Sequence, residues 1–204
     1  MTGRSKKAAF SLLELLAVMA IIGLLAFFTI PAFNSTLRAS KLTVAGQAVM
    51  DELNLARQAA QSRNAVVEVR CYKLPDHNAP ASDPPVDYRV FQSFLVSDNA
   101  TNALGRPRFL PSPIIISTNA SESAFLSSLS HAEQTAPTNA PVSGFGTNYR
   151  YRSMRFAPNG SVDLQNSENF ITLVAKDEKP LSQGGNFFTI QINPISGSIR
   201  SFRP

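Results

Sequence analysis

Phe10-Ser11-Leu12-Leu13-Glu14-Leu15-Leu16 is the stretch on which the reading of this 204-residue chain turns. Glu14 is the single charged residue between positions 10 and 33, where the remaining side chains are almost all apolar. A helix over that span would be about 36 Å long at ~1.5 Å per residue, enough to cross a ~30 Å hydrocarbon core. Arg4, Lys6 and Lys7 precede it and a polar chain follows, which places the N-terminus in the cytoplasm and the bulk of the chain outside. The bias is small, since Arg38 and Lys41 stand on the far side. A cleaved secretory signal would share the basic start and apolar core, with Ile30-Pro31-Ala32 as a poor cleavage site, and a plain signal anchor would look similar. Neither accounts for Glu14. A carboxylate near one end of a spanning helix is disfavoured by a few kcal/mol, so it implies a partner, the plainer alternatives being neutral burial or snorkelling toward the headgroups.

Downstream of Pro31 the pattern becomes amphipathic. Leu42, Ala45, Val49, Leu53, Ala56 and Ala60 recur at three- and four-residue steps, with Lys41, Gln47, Asp51, Asn54 and Gln58 mostly elsewhere. Pro31 can bend a helix without ending it. One long helix is therefore expected from about residue 10 to 63, its first half in lipid and its second half against a sheet. Ala65-Val66-Val67-Glu68-Val69-Arg70-Cys71-Tyr72 then reads as a strand by alternation and β-branching. Further strands are expected at 88–96, 114–117, 153–157, 170–175, 187–192 and 198–202. The Pro-rich segment 74–87 reads as a loop. The Ser/Thr/Asn/Ala-rich segment 118–148 reads as a variable region with a short helix near 123–130.

Taken together, the basic leader, the small residue Ala9, Phe10, Glu14 four residues later and Pro31 at the twenty-second position from Phe10 resemble the processing and methylation site of type IV prepilins and pseudopilins. The resemblance implies cleavage by a prepilin peptidase after Ala9 and N-methylation of the new terminus at Phe10. The family usually carries glycine before the cut. Ala9 is still small enough for a tight peptidase pocket, and the substitution bears on efficiency. The resemblance also implies that Glu14 neutralises the Phe10 ammonium of a neighbouring subunit, or its own, when such helices are buried side by side. An uncompensated charge there would be disfavoured by several kcal/mol. Gly23 and the alanines at 17, 20 and 26 would allow close helix approach, and equally suit an ordinary membrane helix.

Asp51-Glu52-Leu53-Asn54-Leu55-Ala56-Arg57-Gln58-Ala59-Ala60 before the Val-rich strand is similar to the Ala-Arg-x-x-Ala signature of the GspH/FimT family. Arg155-Phe156-Ala157-Pro158-Asn159-Gly160 resembles that family's Phe-x-Pro-x-Gly turn, and residues 188–200 resemble its closing hairpin. Length and leader also resemble the Verru_Chthon cassette protein D family. The expected fold is α+β and type IV pilin-like, with a long N-terminal helix packed on an antiparallel sheet. Its divisions are 1–9 leader, 10–33 transmembrane and assembly half, 34–63 amphipathic half and 64–204 periplasmic β-rich domain. The implied partners are other pilins or pseudopilins, the peptidase, an inner-membrane assembly platform and, before assembly, membrane lipid. The implied role is a minor subunit that joins, initiates or caps a periplasmic filament of a type II secretion-like system.

No catalytic constellation stands out, no cofactor is expected, and the residue spacing matches no metal site. The single Cys71 sits mid-strand, where a buried inert thiol is the default. His77 and His131 lie in loop-like stretches and read as exposed. Asp83, Asp87 and Asp98 match no calcium loop. Arg57 reads as a solvated or salt-bridged helix residue. Net charge is +5, yet without Arg4, Lys6 and Lys7 the chain holds 16 basic against 14 acidic residues, which gives little support for a polyanion partner. The alternative function is DNA binding by a minor pilin. Arg150, Arg152 and Arg155 interleave with Tyr149 and Tyr151, and Arg200 and Arg203 follow near the end of the sequence. Arginines among aromatics can hold phosphates and stack bases. A charge-guarded edge strand would give the same pattern.

Overall fold

The structure is a computed structural model that describes residues 11–76, 86–97, 100–128, 130–137, 141–142, 145–176, 181 and 184–203, apart from the side chains of 28–34. Ala9, Phe10, His77, Asp83 and Asp98 lie outside the described residues, as does the side chain of Pro31. The elements are α1 (Leu12–Arg63), β1 (Val66–Pro75), β2 (Val86–Ser97), β3 (Ala100–Ala103), β4 (Arg108–Phe109), β5 (Ile114–Ile116), α2 (Ala124–Ser127), β6 (Gln134–Thr135), β7 (Arg150–Phe156), β8 (Phe170–Ala175), β9 (Phe187–Ile192) and β10 (Ile199–Phe202). The architecture is α+β, with one long N-terminal helix followed by antiparallel sheets, the type IV pilin-like arrangement expected. Contacts divide the chain into residues 1–38 and 39–204.

In the first unit every described side chain from 11 to 27 is exposed, including Leu12, Leu16, Met19, Ile22 and Phe27. A helix that is apolar all round is stable only against lipid or other helices. Among the described residues no helix is long and apolar enough to cross a membrane. In the sequence the uncharged run extends from Leu15 to Leu37.

In the second unit the stripe read from periodicity is the buried one. Leu42, Ala45, Val49, Leu53, Ala56 and Ala60 are all at most 2% exposed. The three large members each contribute roughly 1.5–3 kcal/mol by leaving water. Small alanines let the helix lie close to the sheets, and at Gly46 a Cβ would stand 2.5 Å from the Phe188 ring. The helix stops in a Schellman arrangement. Asn64 takes φ +48, Ala65 N donates to the Ala60 carbonyl at 3.2 Å, and Asn64 N donates to the Gln61 carbonyl at 3.4 Å.

Two antiparallel sheets share this core. One has the order β3-β2-β1-β7-β6, with β4 also paired to β2, and the other has β10-β9-β8-β5. Val67, Val69 and Cys71 of β1 join the main core, together with Met154 and Phe156 of β7 and Ile171, Leu173, Phe188, Ile190 and Ile192 of the second sheet. The alternate residues Tyr72 and Leu74 turn to the opposite face, where they pack with Val90, Phe94, Val142, Tyr149 and Tyr151 in a second cluster. The chain between β5 and β7, expected to vary, thus supplies core residues (Phe125, Leu126, Val142) as well as surface.

Candidate functional site

Two regions bear on function, the start of α1 and the arginine-rich strand β7. At the start of α1, Ser11 and Glu14 form a capping box. Ser11 N donates to Glu14 Oε2 at 3.0 Å, Ser11 Oγ donates to the same oxygen at 3.1 Å, and Glu14 N donates to Ser11 Oγ at 3.2 Å. This satisfies backbone donors that a helix start leaves orphaned. The Ser-x-x-Glu spacing announces the box in the sequence, but the expectation for Glu14 concerned only a charge partner. Glu14 is fully exposed on the helix, so its carboxylate is open to a neighbour.

Strand β7 departs from the expected DNA surface. It pairs with β1 along its length, and on its other side β6 covers only Arg150 and Tyr151. Tyr149 and Tyr151 are buried against Tyr72, with centroids 4.9 and 6.2 Å from its ring, and offer no face for stacking bases. The arginines are engaged: Arg150 with Glu133 at 2.9 Å, and Arg155 with Glu68 at 3.1 Å. Arg152 donates to the Ser128 and His131 carbonyls at 2.8 and 2.6 Å. Arg203 donates to Thr43 Oγ1 and the Ala39 carbonyl, which ties the end of β10 to α1 within the same unit. Arg200 alone of the five has no hydrogen bond or ion pair with other described residues. By register Tyr151 and Arg155 share one face, opposite Tyr72 and Glu68 of β1, while Arg150 and Arg152 lie on the other, and the acids and carbonyls that engage the arginines come from other segments. Glu68 is one of those acids, buried and also paired with Arg70 at 2.5 Å.

His131 is buried rather than exposed. Its Nδ1 lies 2.8 Å from the Ser153 carbonyl and its Nε2 lies 3.0 Å from that of Asp163, so the ring pins its loop to β7. Cys71 is buried, and burial pushes its thiol well up from the ordinary value. Asp87 pairs with Arg89 at 3.1 Å and Lys176 at 2.6 Å. Among the described residues no group of three or more His, Cys, Asp or Glu side chains converges on one point.

Glu133 carries the clearest electrostatic signature. It accepts from Tyr88 Oη at 2.7 Å, Arg150 at 2.9 Å and Lys73 at 3.3 Å. Burial by itself would raise the carboxyl from 4.5, but these hydrogen bonds outweigh it and hold the group at about 2. A lowered carboxylate contributes stability above its unfolded value and loses it as pH falls through the folded one. Melting temperature should therefore decline between pH 4.5 and 2 partly through this group, and Glu133→Gln should flatten that part of the profile. An unchanged slope in Glu133→Gln would show that the cluster does not link pH to folding.

The three segments that carried the family resemblance meet in space around Arg57. Gly160 (φ +84) and Gly197 (φ +60) both lie against the Arg57 side chain, and Val162 N donates to the Pro194 carbonyl at 2.9 Å to join the two turns. Arg57 is half-buried, its Nε is unpartnered, and it makes no salt bridge among the described residues. Its packing role is positional: it fills the space under two tight turns.

Residues 4–30 match the prokaryotic N-terminal methylation motif. The fold is similar to the minor pseudopilin EpsH from the type 2 secretion system of Vibrio cholerae, at 9% identity and TM-score 0.44 over 80% of this chain and 98% of that one. It is also similar to the type IV minor pilin FimU of Pseudomonas aeruginosa PAO1, at 13% identity and TM-score 0.41 over 81% of this chain and 93% of that one. No curated protein sequence matches the chain.

Proposed function

We propose that this chain is a minor pseudopilin or minor pilin subunit, processed between Ala9 and Phe10 and built into a periplasmic filament through the N-terminal part of α1. The observation that carries the reading is the methylation motif over residues 4–30, leading into a helix whose described side chains from 11 to 27 are all exposed and, apart from Ser11 and Glu14, apolar or small. Such a helix needs lipid before assembly and neighbouring helices after it. Residues 1–9 are then the leader, 10–33 the membrane and assembly segment with Pro31 inside it, and 34–63 the half that docks on the sheets of the 64–204 domain. Glu14 is the residue assigned to the neighbouring ammonium. The prepilin peptidase and the inner-membrane assembly platform are the partners this life cycle requires, and the filament role is structural rather than enzymatic.

DNA uptake is the second reading, and the engaged arginines of β7 and the buried Tyr149 and Tyr151 speak against it. The filament reading is tested at the mature N-terminus, where loss of the first nine residues is expected.

A further inference from the structure

The end of the second sheet holds a polar cleft of about 370 Å³, a size at the small end of ligand sites (roughly 300–1,000 Å³). Asn166, Asn169, Gln191, Asn193, Ser198 and Arg200 line it, and no acidic side chain does. Gln191 and Arg200 are register partners across β9 and β10, and both point to the face opposite the buried Ile190 and Ile192. The floor is rigid. Asn193 Oδ1 accepts from Ile195 N and Ser196 N at 3.0 and 3.1 Å, and the Asn169 carbonyl accepts from Ile192 N at 2.9 Å.

Two features of the cleft are left uncompensated. Arg200 is exposed and has no hydrogen bond or ion pair with other described residues. Asn169 is only 7% exposed, yet its side-chain oxygen has no hydrogen-bond partner among them. That oxygen is closed off from the cleft, so contacts to a ligand fall to Arg200 and to the side-chain amides of Asn166, Gln191 and Asn193. The lining therefore asks for an oxyanion flanked by groups that pair with side-chain amides.

We propose that this cleft binds an acidic peptide segment of a partner protein, with Arg200 holding a carboxylate and the side-chain amides of Asn166, Gln191 and Asn193 pairing with its backbone. A guanidinium takes a carboxylate through two parallel bonds, and side-chain amides match the alternating donors and acceptors of a peptide backbone. Nucleic acid fits less well. Its affinity grows with the number of phosphates neutralised, and the cleft has one cation. It also has no aromatic side chain on which a base or sugar ring could stack. The proposal rests on the second sheet alone and does not depend on the filament reading.

The test is fluorescence anisotropy on the full-length protein in detergent micelles, with fluorescein-labelled Gly-Glu-Gly-Glu-Gly and its Gly-Gln-Gly-Gln-Gly counterpart as probes. The glutamate peptide should saturate and bind at least tenfold more tightly than the glutamine peptide. Arg200→Gln should abolish that difference while leaving the melting temperature unchanged, since the Arg200 side chain makes no hydrogen bond or ion pair with other described residues. Equal binding of the two peptides, wild-type selectivity in Arg200→Gln, or tighter binding of a single-stranded oligothymidine than of the glutamate peptide would each overturn the proposal.

Discussion

Glu14→Val is expected to leave the chain inserted in the membrane and to reduce its incorporation into filaments by roughly a hundredfold or more, the scale set by stranding a buried charge. Removing the carboxylate makes the helix more apolar, so insertion is, if anything, favoured. Assembly is different, because on the proposed reading each processed helix would bring a cationic terminus into an apolar bundle. The capping box makes a control available. Ser11 and Glu14 hold one another at 3.0–3.2 Å, so a loss of function at Glu14 could reflect only a frayed helix start. Ser11→Ala removes the cap and keeps the charge. Near-normal incorporation of Ser11→Ala beside absent incorporation of Glu14→Val, measured by fractionating sheared filaments from membranes, is the expected pair. Equal defects would reduce Glu14 to a helix cap, and normal incorporation of Glu14→Val would count against the assembly role altogether.

Gly197→Val is expected to be the most damaging single change in the second unit. Gly197 sits at φ +60, a conformation that a β-branched residue adopts only under strain, and a Cβ there would run into the Gly160 carbonyl oxygen with Arg57 Cδ 3.2 Å away. Neither obstacle yields easily, because one is backbone and the other is packed beneath it. Strain and overpacking together should destabilise the domain by about 3 kcal/mol or more. In a chain of this length that lowers the melting temperature by roughly 6–12 °C. Gly105→Ala, where a Cβ would meet nothing within 4 Å, should change it by about a degree or less. Comparable melting of the two variants would contradict the convergence of the two turns on Arg57.

Much of this fold is legible in the sequence where one period dominates. The buried stripe of α1 follows from its three- and four-residue spacing, β8 and β9 appear at their expected bounds, and β1 follows from its alternation. Strands β3, β4 and β6 are too short, at four, two and two residues, for any period to register. The second cluster was hidden because its residues come in ones and twos from β1, β2, β7 and the chain from Val142 to Tyr149, so no one segment displays it. Arginines and tyrosines in β7 look like a binding surface until their partners Glu68, Glu133 and Tyr72 are placed beside them. His131 was misplaced for a similar reason, since a loop that reads as polar is fastened to β7 by its ring nitrogens. At the start of α1, the expectations for Phe10 and Glu14 rest on motif and spacing, while the cleft at Arg200 needed the register of β9 and β10.

The measurement that bears most directly on the central claim is the intact mass and N-terminal sequence of the mature protein recovered from membranes that contain a prepilin peptidase. The account predicts a chain beginning at N-methylated Phe10, with the nine residues through Ala9 removed. A chain beginning at Met1, or one beginning near Phe33, would contradict it.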